Sequence, residues 1–143
     1  MDKKTFDKIT KEIFLAYGFI KKNRTFLLIL DEITISCRLY TWNMITSFNY
    51  WISVNRAYDD SIPYDQRYGS IVATKIEHSP SAQGYKKSEI KYEEYTEEQY
   101  REMLTRMLHS CFDPYKEDAI QCVRDNHEML TIKPEELAVL GIE

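Results

Sequence analysis

The sequence predicts a two-layer α+β domain. An antiparallel sheet of about four strands carries an N-terminal helix and two or three C-terminal helices on one face. Three observations lead there. Apolar residues recur at helical spacing up to Tyr17, alternate with period two between Ile33 and Val54, and return to helical spacing after Thr96. The 143 residues suit one domain, and no internal repeat or shift of composition divides them.

Phe6, Ile9, Ile13, Phe14 and Tyr17 share one helical face, with Lys4, Lys8, Lys11 and Glu12 elsewhere. Gly18 supplies a residue suited to a left-handed stop. The basic turn Lys21-Lys22-Asn23-Arg24 leads into a short strand, Thr25 to Leu30, and a tight turn at Asp31-Glu32. Ile33, Ile35, Cys37 and Leu39 then point one way, opposite Thr34, Ser36, Arg38 and Tyr40. Phe48, Tyr50, Ile52 and Val54 repeat the pattern, opposite Ser47, Asn49, Trp51 and Ser53. The expectation is a three-stranded meander that buries one face.

Periodicity disappears from Asn55 to Gly69, a loop length that often marks function or mobility. Ile71 to His78 reads as a fourth strand, Ser79 to Gly84 as loop, and Ile90 with Tyr92 as a weak edge strand. Thr96-Glu97-Glu98-Gln99 fits a capping box. Tyr100, Met103, Leu104, Met107, Leu108 and Cys111 form the stripe of the helix it opens. Asp113-Pro114 is expected to end that helix and start another, with Asp113 as cap and Pro114 in the first turn. Tyr115, Ala119, Ile120 and Val123 would face inward. A short helix from Pro134 to Leu140, stopped by Gly141, completes the chain.

The N-terminal half, with Phe6, the helix, Tyr17-Gly18-Phe19-Ile20-Lys21-Lys22, Thr25-Phe26 and two alternating strands, resembles a small bacterial family catalogued as domain of unknown function 4304. The pattern spans roughly residues 6–54, and Asn55-Arg56 stands where the family tends to carry a glycine. The resemblance implies a bacterial α+β protein and brings no catalytic residues.

Composition narrows the function classes. The chain is 43% hydrophobic and 29% charged, which excludes a disordered polymer. Four Gly and four Pro exclude collagen-like and linker-like chains. The mean hydropathy is -0.50, and no apolar run approaches the ~20 residues of a membrane helix. The polar start leads into an amphipathic helix rather than a secretory signal. Three cysteines, Cys37, Cys111 and Cys122, form no paired framework, so reduced thiols in a cytoplasm are expected. Net charge is -4: residues 1–30 carry +4 and the remainder -8. That balance disfavours nucleic acid and suits a basic partner.

Three candidate sites follow. In the long loop, Asp59, Asp60 and Asp65 beside Arg56 and Arg67 could hold a cation or divide acid and base roles. The spacing is not that of a calcium loop, and aspartates that start turns in a solvated loop are the plainer reading. His109, Cys111, Cys122 and His127 resemble a zinc set by composition. Residues two and five apart on a helix diverge, however, and Cys111 completes the apolar stripe. No nucleophile elbow, phosphate-binding glycine loop or dinucleotide fingerprint is present. The third candidate is the outer sheet face, where Arg38, Tyr40, Trp42 and Trp51 would gather. Such residues dominate protein-binding hot spots and can also stack bases. Cover by another segment of the chain, or by a second copy, is the bland alternative.

Weighing these, the sequence points to a cytoplasmic macromolecule-binding module without metal or cofactor, taking a protein partner or a homodimer mate. One specific form is an immunity-type protein whose acidity meets a basic toxin. A small enzyme with its site in the 55–69 loop is the rival.

Overall fold

The protein, seen in a computed structural model, is described for residues 1–42, 45–55, 70–73, 90–126, 132 and 134–142, with 40–42, 45 and 70–73 described for the backbone alone. Helix α1 (Lys3–Tyr17) precedes strands β1 (Ile20–Lys22), β2 (Thr25–Ile29), β3 (Ile33–Trp42), β4 (Ile45–Val54) and β5 (Ser70–Ala73). A 3-10 turn (Tyr92–Glu94) then leads to α2 (Glu97–Glu117), α3 (Ala119–Asn126) and α4 (Pro134–Val139). The strands form one antiparallel sheet in sequential order, β1-β2-β3-β4-β5. The α+β architecture expected from the sequence is present.

Local chemistry sets the ends of α1. Asp2 caps it, its Oδ1 accepting from the Thr5 amide at 2.7 Å. Gly18 ends it with φ 123°, which a side chain would resist. Its amide donates to Leu15 O, and the Phe19 amide reaches back to Phe14 O at 3.1 Å. The Phe14 and Phe19 rings meet at 5.0 Å, the apolar contact that accompanies this kind of stop. The basic turn is the tip of the β1–β2 hairpin: Lys22 pairs with Thr25, and Asn23 takes the positive φ (57°) that a two-residue loop needs. β1 is an edge that periodicity could not reveal, because all three of its residues are exposed.

The core lies between one sheet face and the helices. Ile33, Ile35, Cys37, Phe48, Ile52 and Val54 meet Phe6, Ile9 and Phe14 of α1 and the Tyr100–Phe112 stripe of α2. Asn55 locks the 31–32 turn. Its Oδ1 accepts from Thr34 Oγ1 at 2.6 Å, its Nδ2 donates to Leu30 O at 2.7 Å, and its amide donates to Glu32 O.

Three expectations change. First, α2 runs through Pro114 to Glu117, so Asp113-Pro114 does not break the helix. Proline there removes one bond close to the C-terminus, and Asp118 caps the next helix, its Oδ1 accepting from the Gln121 amide at 3.0 Å. Second, Ile90 and Tyr92 form no strand. The Ile90 amide donates to Thr46 O at 2.7 Å, and the chain then enters the 3-10 turn. Third, much of the sheet's outer face is buried as well, although Ile29 at its β2 end stays 49% exposed. Thr25, Leu27, Thr34, Ser36 and Ser53 are buried there, and Trp51 is 8% exposed. Serine and threonine read as a wet face by hydropathy, yet they are small enough to pack inside.

Trp51 therefore contributes to stability. Trp51→Ala should cost about 3–5 kcal/mol in urea denaturation. Ile20→Ala, at a side chain 51% exposed, should stay within about 0.5 kcal/mol.

Candidate functional site

α1 and α2 run in the same sense, and their seam is tied at several levels. Thr10 Oγ1 and Tyr100 Oη share a buried hydrogen bond of 2.6 Å. Arg101 Nη2 meets Glu12 Oε2 at 2.9 Å. At the far end, Tyr17 Oη donates to Asp113 Oδ1 at 2.6 Å, and His109 Nδ1 lies 2.8 Å from Asp113 Oδ2. Lys116 Nζ donates to Tyr17 O at 2.7 Å and stands 3.6 Å from the Tyr17 ring centroid. The Tyr17 and His109 rings meet edge to face at 5.1 Å.

His109 and Asp113 meet because they stand four residues apart on one helix. The Tyr17 hydroxyl, followed by His109, holds the Asp113 carboxyl below its ordinary range. Burial, reinforced by the bond to Asp113, pushes the Tyr17 hydroxyl up. Ionised Asp113 can only accept, so the proton of the second bond resides on His109 Nδ1. In neutral His109, Nε2 is then an acceptor. Nothing among the described residues engages it.

Between the helices lies a socket of about 150 Å³, lined by Ile13, Ala16, Tyr17, Thr105, Leu108 and His109. Ligand and cofactor pockets usually reach about 300–1,000 Å³. This one has room for a single side chain. An open depression of about 450 Å³, bounded by Arg101, Glu102, Thr105 and Arg106, adjoins it through Thr105.

An oriented Asp–His pair can serve as a general base, but it needs a reacting partner. The Tyr17 hydroxyl is committed to Asp113. Burial pushes all three thiols up, Cys111 to about 11 and Cys37 further, which leaves little nucleophilic thiolate. No trio of His, Cys, Asp or Glu among the described residues could hold a metal ion. The arrangement can position a group through the oriented His109.

The sequence-derived candidates divide accordingly. Register places Arg38, Tyr40, Trp42 and Trp51 on one sheet face, with Arg38 opposite Asn49 and Trp51 opposite Ser36. Arg38 is half-buried, whereas Trp51 is buried, so the exposed aromatic face expected around Trp51 is corrected. Tyr40 and Trp42 belong to the strand backbone. Arg56, Asp59, Asp60, Asp65, Arg67 and His127 lie outside the described residues. Cys122 Sγ accepts from Asn126 Nδ2 at 3.6 Å, a contact within its own helix. Reading Asp113 as a helix cap hid its pairing with His109, for which the spacing of four was the available signal. Tyr17 fits the apolar stripe by spacing, and only the fold shows its hydroxyl at Asp113.

Comparison with protein-family models, curated proteins and solved structures finds no match.

The two perturbed groups make opposite contributions to pH dependence. A lowered carboxyl pKa stabilises the fold above its unfolded value near 3.8, and that stability disappears as pH falls through the folded value. Asp113→Asn should therefore melt below wild type at neutral pH, with the gap closing on acidification below about pH 4. A raised phenol pKa stabilises below about 10 and is lost above it. Tyr17→Phe should accordingly narrow its deficit on the alkaline side. Thermal melts from pH 2 to 11 read both limbs.

Proposed function

We propose that the chain is a non-catalytic protein-binding module that contacts its partner through the α1–α2 face. The observation that carries this reading is the socket: about 150 Å³, apolar in its walls, and rimmed by the half-exposed His109. A cavity of that size receives an anchor side chain of another protein, the kind of contact that concentrates interface energy. The seam bonds hold both walls, so little ordering cost attends insertion.

The specific form is an immunity-type protein of the bacterial cytoplasm. Net charge of -4 supports attraction to a basic partner, and three free thiols suit a reducing compartment. The bacterial setting follows from the resemblance of the N-terminal half.

A photoreactive benzoyl-phenylalanine tests the reading directly. Placed at Thr105 in cells that make the protein, it should capture one discrete protein. Placed at Lys22 on the distant hairpin, it should capture none. Equal adducts at both positions, or none at Thr105, overturn the proposal, and an adduct of twice the chain's own mass identifies a second copy as the mate.

A further inference from the structure

We propose that the free edge of β1 pairs with the same edge of a second copy, in a register centred on Lys21, and that the charge of Lys21 holds this interface apart until it is neutralised. The inference is independent of the α1–α2 face.

β1 ends the sheet, and all three of its residues are exposed. Its register decides which main-chain groups are free. Only Asn23 and Arg24 separate Lys22 from Thr25, so those two residues close the hairpin by exchanging both of their bonds. Ile20 and Leu27 form the next bonded pair. Lys21, opposite Phe26, lies between them with its N–H and C=O turned away from β2. No described residue takes either group. A free donor and acceptor on an exposed edge are a template for another strand.

For a second copy the alignment follows from symmetry. A twofold interface brings the same patch of both subunits together. Antiparallel strands joined through one residue's N–H and C=O then place that residue opposite its own equivalent. Lys21 faces Lys21, and Ile20 faces Lys22. The two Ile20 side chains become diagonal neighbours on the outer face, within reach of each other. Ile20 is 51% exposed, so the pairing has apolar surface to cover.

Charge opposes it. Like charges directly opposite one another destabilise an antiparallel pair. Lys21 Nζ stands 5.5 Å from the Phe26 ring centroid, which keeps the ammonium at the edge. Lys22 and Arg24 add exposed positive charge beside it. Among the described residues no carboxylate pairs with Lys21 or Lys22. With one bonded pair to gain, so short a contact turns on that charge.

Charge exchange tests the inference. In sedimentation velocity at low salt, wild type and Lys21→Glu should each stay unpaired through this edge. Their mixture should associate about tenfold more tightly than either alone, as expected when a like pair becomes an opposite one. Two neutral variants separate charge from main chain. Lys21→Thr should self-associate, whereas Lys21→Pro, equally neutral but lacking the outward N–H, should not. Melting points of these exposed-edge variants check the fold, and where Lys21→Pro melts lower the mixture decides alone. Raising salt to about 1 M should promote wild-type pairing by screening the lysines, and should change Lys21→Thr little. A mixture no tighter than its components overturns the inference, as does Lys21→Pro associating as strongly as Lys21→Thr. Wild type that takes up a poly-glutamate peptide but not the Lys21→Glu chain assigns the edge to another protein and likewise overturns it.

Discussion

Phe14 is the contact on which the arrangement of layers depends. Its ring stacks on Phe26 at 4.3 Å, meets Phe48 at 5.3 Å and touches Phe19 at 5.0 Å, so one side chain joins α1 to β2, β4 and the turn after the helix. Gly18 makes that geometry available. Its positive φ turns the chain back within one residue, so that Phe19 folds under the helix it follows. A branched residue at position 18 would strain the turn and pull Phe19 and the β1–β2 hairpin away from Phe14. The sheet face and the helix end are thus fixed by the same few atoms.

From that junction, the position of α2 follows. Phe112 packs edge-on against both Phe19 and Tyr50, at 5.4 and 5.3 Å, extending the aromatic layer to the second helix. Thr10 and Tyr100 then fix one level of the α1–α2 seam with a buried hydroxyl pair, and Tyr17 with Asp113 fixes another. The Asp113 carboxylate matters here because it accepts from both helices. By spending one oxygen on Tyr17 and the other on His109, it locks the seam and selects the histidine tautomer in the same act. The chemistry offered at the rim is a by-product of how the helices are held.

Much of this could be read from the chain, and the gaps have physical causes. α1 with its glycine stop, the alternating β3 and β4, and the capping box at Thr96 all follow from local rules. Each depends on neighbours within a few residues, and the cap forms as its motif specifies, Gln99 N donating to Thr96 Oγ1 at 3.1 Å. Pro114 misled because a local rule met a tertiary one. Near a helix end the lost bond is small, while Phe112 and Tyr115 on either side are buried and hold the last turn in place. The outer sheet face misled for another reason. Alternation correctly sorts residues by face, but it cannot say whether water or protein lies beyond them, and Thr34, Ser36 and Ser53 suit either. The contact between Tyr17 and Asp113 was beyond any pattern, because it joins residues 96 apart in sequence.

These constraints also bear on the small cavity between the helices, whose walls are held by bonds across the seam. Thr10–Tyr100, Glu12–Arg101 and Tyr17–Asp113 tie the two walls at successive levels, and Lys116 closes the end of α1 by donating to the Tyr17 carbonyl. The exposed Glu12–Arg101 pair contributes little stability in water, and it spans the helices where the open depression begins. Rigidity here comes from hydrogen bonds that cross the seam.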